Sequence, residues 1–237
     1  MKAVFDPAFN NLSIGDELKI SGEAHHHLSN VMRSKVDDLV LLLNGKGFEV
    51  VAKIISVEKK FILLKVEETK SYSDNRTISI MVGMPKKEYA EDVIRSATEL
   101  AVSTIYFVST EYAQRTNLNE DRVQKIIGSA VSQCNAAFVP DVAFKNLRDI
   151  PFEYYQHIIL LHNQYDHRFA NIENSPVLKG RILIIVGPEG GFSQRDIDEL
   201  TKVKSDIKIL TFRKTNILKT ITAVPVAIGW ALANNKE

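Results

Sequence analysis

The sequence predicts a mixed α/β protein in which a small β-rich unit precedes an α/β domain with a mostly parallel sheet. Residues 1–70 contain short apolar runs separated by Gly/Asn or charged turns, which is typical of antiparallel strands. Residues 71–237 alternate apolar strand-like runs with helical stripes, which is typical of a parallel sheet covered by helices. The polar stretch 70–76 has no period, so we interpret it as the linker.

Each element of the β-rich unit is predicted from a local pattern. Apolar runs predict the strands, and the turn sequences 44–47 (Asn-Gly-Lys-Gly) and 58–60 (Glu-Lys-Lys) separate three of them. A helical insert interrupts the strands at 24–33. The predicted strands are 18–20, 39–43, 48–57 and 61–66.

The second domain is predicted from apolar runs typical of strands, which alternate with segments whose apolar residues have helical spacing. Short runs rich in Ile and Val predict strands, and apolar residues at helical spacing predict helices. The predicted strands are 78–84, 105–108, 158–161, 182–186 and 207–210. The predicted helices are 87–102, 123–134, 193–203 and 220–234.

Composition limits the class of function. The chain has 237 residues, of which 45% are apolar and 25% are charged, and this composition argues against disorder. The net charge of +1 excludes a wholly basic surface, although a local basic face is compatible with it. A single cysteine, Cys134, cannot form an internal disulfide, so a reducing, cytoplasmic setting is expected. The first residues lack the apolar run of a signal peptide, and the apolar run 221–233 is shorter than the roughly 20 residues that span a bilayer.

The strongest local signal for a ligand site is the loop 187–193, Gly-Pro-Glu-Gly-Gly-Phe-Ser. It follows an apolar strand and precedes a helix for which Ser193 and Asp196 form a capping box. Glycines allow a ligand to approach the backbone, and open α/β sheets bind ligands at the carboxyl ends of strands. A tight turn without a ligand is the alternative interpretation. The loop is neither GxGxxG nor a P-loop, so a nicotinamide cofactor or a nucleoside triphosphate is not indicated.

A second loop, 211–219, also follows a predicted strand. It is polar and basic, and the apolar helix 220–234 begins directly after it. Two loops at the carboxyl ends of parallel strands can line one pocket. The alternative is a solvated surface loop.

Five segments together resemble a known family. They are GPEGGFS at 187–193, ILKTITA at 217–223, HHHLSNVMR at 25–33, ATELA at 97–101 and AVSQC at 130–134. In this order they resemble the small-subunit ribosomal RNA methyltransferase E family, of the SPOUT class of knotted methyltransferases. The resemblance covers the whole chain.

The resemblance implies a PUA-like RNA-binding β-barrel at 1–70 and a SPOUT methyltransferase domain with a deep trefoil knot at 71–237. It implies transfer of a methyl group from S-adenosylmethionine to N3 of a uridine in small-subunit rRNA, free or in the ribosomal subunit. It also implies a homodimer formed through the C-terminal domain, with no metal and no membrane. Three consecutive histidines, 25–27, lack the i, i+4 spacing of metal ligands.

The resemblance also assigns roles to residues. The donor-binding residues are His162, Gly187, Glu189, Gly190, Leu210, Leu218 and Thr220. The catalytic candidates are Asn216 and Lys219, and the RNA-phosphate candidates are Arg33, Lys35, Lys86 and Lys87.

Five positions depart from the family pattern. Lys219 and Asn216 replace arginines, and Ile221 replaces a glutamate. In the helix 123–134 and just after it, Ser132 replaces a glutamate and Ala136 an arginine. Two further readings therefore stay open: a SPOUT methyltransferase acting on another RNA base, and a retargeted or catalytically silent paralogue that binds RNA.

Overall fold

The computed structural model describes residues 2–116, 118–163, 170–171, 177–204, 206–212 and 215–235. The chain forms two compact units. One comprises Met1–Asn75 with Ile127–Val139, and the other comprises Arg76–Ile126 with Pro140–Glu237.

The N-terminal unit is built on a five-stranded sheet. Its strands are β1 (Lys2–Phe5), β2 (Glu17–Ser21), β3 (Leu39–Leu43), β4 (Phe48–Val57) and β5 (Phe61–Ser71), in the order β1-β3-β4-β5-β2. The pairing of β1 with β3 is parallel and the other pairings are antiparallel. Because side chains alternate along a strand, β4 and β5 bury every second residue on one face. That core includes Val50, Ala52, Ile54, Ile62, Leu64 and Val66.

The helical insert of this unit begins and ends two residues earlier than the predicted range 24–33. Helix α1 (Gly22–His26) continues as a π-helix over His27–Val31, and Leu28 is its buried residue. The ring of His25 hydrogen-bonds the carbonyl oxygen of Glu58 at 3.0 Å, and the ring of His26 lies 2.8 Å from the Asn30 amide nitrogen. The histidines therefore bond to the backbone and to a neighbouring side chain.

The second unit contains a seven-stranded sheet in which every pairing is parallel. Its strands are β6 (Ile78–Gly83), β7 (Thr104–Ser109), β8 (Asp141–Asn146), β9 (His157–Leu161), β10 (Ala170–Asn171), β11 (Ile182–Val186) and β12 (Lys208–Leu210). The strand order is β10-β12-β9-β11-β6-β7-β8. Its helices are α2 (Lys87–Glu99), α4 (Gln194–Val203) and α5 (Thr220–Asn234), and two short 3-10 helices cover Leu147–Asp149 and Phe152–Tyr154. Helix α3 (Glu120–Cys134) begins in this unit, and its residues from Ile127 onwards belong to the N-terminal unit.

The central strands β6 and β11 are formed by strongly apolar runs of the sequence. Every residue of β6 and β11 is buried, as expected for strands covered on both faces. The parallel α/β class predicted from the sequence is therefore confirmed. Within the described part of the chain, no helix is long and apolar enough to cross a membrane.

Helix α2 ends in a Schellman motif with an alanine at the left-handed position. The Val102 N–H donates to the Ala97 carbonyl at 2.9 Å, and the Ala101 N–H donates to the Thr98 carbonyl at 3.2 Å. Ala101 has φ +55°, a conformation that glycine adopts at lower cost.

We expect Ala101→Gly to raise the free energy of unfolding by about 1 kcal/mol, because the substitution relieves the strain of a Cβ at positive φ. Chemical denaturation of the two proteins measures the difference. The exposed Ala233, in the last turn of α5, provides the control, since a glycine there relieves no strain and should not raise stability. Equal or reduced stability of the Ala101 variant would contradict the prediction.

A partly buried ion pair joins α2 to α3. The Arg122 guanidinium donates to both carboxylate oxygens of Glu91, at 2.9 and 2.5 Å. These hydrogen bonds hold the pKa of Glu91 below its ordinary value of 4.5. A lowered carboxyl pKa stabilises the fold above that value, and the contribution is lost as the pH falls through the folded-state pKa.

We therefore expect Glu91→Gln to cost about 1 kcal/mol at pH 7, below the roughly 1.5–3 kcal/mol of charged hydrogen bonds, because Arg122 is half exposed. The cost should shrink as the pH falls through the folded-state pKa of Glu91, since the wild-type carboxylate is progressively protonated there. Denaturant titrations of both proteins between pH 7 and 3 measure this. A stability difference between the two proteins that does not vary with pH would contradict a stabilising ion pair between Glu91 and Arg122.

Candidate active site at the carboxyl edge of the parallel sheet

A cavity of about 540 Å³ lies where three neighbouring strands of the second unit, β9, β11 and β12, end. The loops that follow these strands and the first turn of α5 line it. The described lining residues are Leu161, His162, Asn163, Val186, Gly187, Pro188, Glu189, Gly190, Gly191, Phe192, Phe212, Thr215, Asn216, Ile217, Leu218, Thr220 and Ala223. Cavities of this size, partly apolar with a few polar groups, are typical of small-molecule sites.

The loop after β11 forms a tight turn followed by a well-capped helix. The Gly191 N–H donates to the Pro188 carbonyl at 2.8 Å, and Gly191 has φ +73°. Ser193 and Asp196 form the predicted capping box, with reciprocal hydrogen bonds of 3.1 and 2.9 Å. A Cβ added to Gly191 would meet no described atom within 4 Å. The cavity side of this turn is therefore open to a ligand.

The two predicted loops meet through one side-chain hydrogen bond. The Thr220 hydroxyl, which is buried, donates to the carbonyl of Gly187 at 3.1 Å. A backbone bond from the His162 N–H to the Leu210 carbonyl, 3.1 Å long, joins the ends of β9 and β12. The sequence prediction that the two segments share one cleft is confirmed by these contacts.

The carboxylate of Glu189 lines the cavity and also reaches the start of α2. It accepts the backbone N–H of Lys86, the N-cap residue of α2, at 3.1 Å. A carboxylate is favourable there because the helix dipole is positive at that end. Among the described residues, Glu189 is the sole carboxylate in the lining, and no lysine or arginine joins it.

The structure places most of the residues predicted to bind the methyl donor around the cavity. His162, Gly187, Glu189, Gly190, Leu218 and Thr220 line the cavity, and so does the catalytic candidate Asn216. Leu210 is buried at the end of β12 and is not part of the lining. Lys219 is exposed, caps α5 with its backbone and also lies outside the lining.

The predicted RNA contacts are exposed in both units. Arg33 and Lys35 belong to the N-terminal unit, whereas Lys86 and Lys87 begin α2 in the other. Arg33 has φ +48°, so its backbone turns sharply after the π-helix.

Several lining residues were not predicted, among them Asn163, Phe192, Phe212, Thr215 and Ile217. All of them lie within or next to the loops that follow β9, β11 and β12. The strand-end rule singled out the loops after β11 and β12, and applying it to β9 as well could have included them all.

Of the departing positions, Asn216 lines the cavity and Ile221 does not. Ser132 and Ala136 belong to the N-terminal unit, where the Ser132 hydroxyl donates to the Gly128 carbonyl at 2.9 Å. Across the described ranges, no group of three or more His, Cys, Asp and Glu side chains is placed to hold a metal ion.

Two family models match the chain. Residues 73–232 match an RNA methyltransferase domain, and residues 20–67 match an RNA methyltransferase PUA domain. The ribosomal RNA small subunit methyltransferase E 2 of Borreliella burgdorferi is 30% identical over 191 residues, which are 73% of this chain and 74% of the relative. The chain belongs to the ribosomal RNA small subunit methyltransferase E family.

Other members of the family are similar over nearly the full length. The ribosomal RNA small subunit methyltransferase E of Rickettsia conorii is 26% identical over 225 residues, 93% of this chain and 91% of the relative. The resemblance seen in the sequence motifs is therefore confirmed, including the PUA-like character of the N-terminal unit.

Solved structures share the fold. The crystal structure of a family member from Neisseria gonorrhoeae, bound to S-adenosyl methionine, has a TM-score of 0.82 at 23% identity and covers 98% of this chain and 97% of its own. A predicted RNA methyltransferase from Thermotoga maritima has a TM-score of 0.69 at 25% identity, with 98% of both chains covered.

We expect Thr220→Val to lower the free energy of unfolding by about 1 kcal/mol, because the Gly187 carbonyl loses its side-chain partner while the shape is kept. Amide hydrogen exchange at 187–191 should become faster. Thr222→Val, at an exposed position of the same helix, is the matched control and should change neither quantity. Unaltered exchange in the Thr220 variant would show that the bond does not hold the loop.

Proposed function

We propose that this protein transfers a methyl group from S-adenosylmethionine to N3 of a uridine in small-subunit rRNA. One observation carries the proposal: in a member of this family, the Thr220–Gly187 bond joins two strand-end loops around a single cavity of ligand size. The names of the relatives support the substrate class.

The cavity fits the methyl donor in size and in charge. A volume of about 540 Å³ is within the range of cofactor pockets. Apolar residues such as Leu218 and Phe212 suit a purine, while loop amides and carbonyls suit its polar edge. The lining includes the carboxylate of Glu189, which favours a cationic sulfonium.

The donor carries its methyl group on an already activated sulfonium, so the transfer needs no metal. Of the residues we assign to the donor, His162, Gly187, Glu189, Gly190, Leu218 and Thr220 line the cavity, whereas Leu210 is buried at the end of β12, outside the lining. Their task is to bind and orient the donor, and alignment of this kind can lower a barrier by up to about 7–11 kcal/mol in ideal cases.

The uridine would enter beside Asn216, which is exposed at the cavity. A carboxamide offers both a donor and an acceptor, which match the carbonyl oxygen and the N3–H of uracil. We assign Lys219, exposed at the start of α5, to charge neutralisation near the reacting nucleotide. Arg33, Lys35, Lys86 and Lys87 suit backbone phosphates.

We further propose the organisation that the resemblance implies. Residues 1–70 form the RNA-binding domain and residues 71–237 the methyltransferase domain, which carries a deep trefoil knot. The homodimer forms through the C-terminal domain in the cytoplasm. The apolar face of α5 supports this dimer, because Val226 and Leu232 are exposed on a helix that has few polar residues.

A second candidate is a silent or retargeted paralogue that binds RNA and the donor. It is favoured by the engagement of Glu189, the one carboxylate of the described lining, which already accepts the Lys86 N–H. The position at which the family carries a glutamate is Ile221, which cannot accept a proton.

We expect isothermal titration calorimetry to show one S-adenosylmethionine bound per chain. ATP is the negative control and should not bind. Small ribosomal subunits lacking the modification should then receive one methyl group at a uridine N3, located by mass spectrometry of RNA digests. Donor binding without transfer would favour the second candidate. Absence of donor binding at high micromolar ligand would overturn the site assignment.

A further inference from the structure

The loop after β7, residues 110–116, stands at the same edge of the sheet as the cavity. All strands of this sheet run parallel, and β7 is separated from β11 by β6 alone. The loop carries Tyr112, whose residue surface is 47% exposed. An exposed aromatic ring close to a cavity is available to contact a ligand.

The loop is held firmly through its backbone. The Glu111 N–H donates to the Asp196 carboxylate at 3.2 Å, which ties the loop to the first turn of α4. The Gln114 N–H donates to the Met84 carbonyl at 2.8 Å, and the Thr116 hydroxyl donates to the Pro85 carbonyl at 2.7 Å. These bonds fix the backbone of the loop beside the residues that lead into Lys86.

Tyr112 packs directly against the turn that lines the cavity. A Cβ added to Gly190 would lie 3.0 Å from the Tyr112 Cβ and 3.3 Å from its Cγ. Gly190 itself lines the cavity, so one residue separates the tyrosine from the ligand space. The absence of a side chain at 190 is what lets the ring lie so close.

Three basic side chains lie on the loop that carries Tyr112 and on the adjacent start of α2. Arg115 is exposed on this loop, and Lys86 and Lys87 are exposed at the adjacent start of α2. Acidic Glu88 and Glu111 accompany them, so the surface is of mixed charge and is not a purely electrostatic RNA site.

We propose that Tyr112 is a positioning residue on which a base of the RNA substrate stacks beside the cavity. The inference rests on the proposed function and deepens it by naming where the unpaired nucleotide is held. Single-stranded bases stack on exposed aromatic side chains in RNA-binding proteins. A ring on an anchored backbone loses little freedom when a base binds, and this favours tight stacking.

The test compares three variants in binding purified, fluorescently labelled small-subunit rRNA at fixed salt. Tyr112→Leu keeps apolar bulk but removes the aromatic face, and it should weaken RNA binding by about 5- to 100-fold. Tyr112→Phe keeps the face and should stay within about twofold of wild type. The donor affinity of both variants, measured by calorimetry, should stay within about twofold.

Tyr112→Trp supplies an independent readout. Stacking should retain RNA affinity, and the emission of the new tryptophan should be quenched when RNA is added. The wild type, in which Trp230 is the one tryptophan, provides the background signal. Unquenched emission at saturating RNA would overturn the inference even if the leucine variant failed to fold.

Tyr154→Leu is the matched control. Tyr154 is 56% exposed in the same unit but precedes β9, at the opposite, amino-terminal edge of the sheet. Its loss should leave RNA binding unchanged. If Tyr112→Leu weakens donor and RNA binding equally, Tyr112 supports the Gly190 turn instead, and the inference fails.

Different results would refute the methyltransferase proposal and the Tyr112 stacking proposal. A wild-type protein that binds rRNA but transfers no methyl group refutes the methyltransferase proposal, and the Tyr112 comparison is still decided by RNA affinity. Methyl transfer with unaltered RNA binding and KM in Tyr112→Leu refutes the stacking role alone. A wild type that does not bind rRNA refutes both.

Discussion

The hydrogen bond from the Thr220 hydroxyl to the Gly187 carbonyl is the contact on which the candidate site depends. It joins the turn after β11 to the first residue of α5, two segments 33 positions apart. The parallel pairing of β9, β11 and β12 makes the contact possible, because parallel strands end at one edge.

The glycine-rich turn is constrained from several sides, and not every glycine in it faces a ligand. Gly83, at the end of β6, leaves no room for a Cβ against the Pro188 ring, which would lie 2.4 Å away. Gly190 presses against Tyr112, while Gly191 faces open space at positive φ. Glu189 ties the same turn to the start of α2. Packing against the start of α2 and the loop after β7 therefore shapes the turn.

Local patterns predicted the long and the buried elements well. The strands 39–43, 48–57 and 182–186 and the helix 220–234 have their predicted bounds, because strong apolar periodicity and caps mark them. The strands β1, β8 and β10 were missed. β8 is an edge strand with a half-polar sequence, and β1 and β10 span four and two residues, so each depends on a distant partner strand that no local pattern reveals.

The sequence by itself determined the α/β class, the family and the two loops that carry the candidate chemistry, because capping residues, glycines and apolar periods are local properties. The tertiary structure alone decided which side chains of those loops meet. It brought Asn163, Phe212 and Ile217 into the lining and kept Leu210 and Lys219 out of it. It also engaged Glu189 with a helix terminus 103 positions earlier in the chain. Such contacts depend on strand order and on the packing of neighbouring loops, and a linear pattern of residues does not encode either one directly.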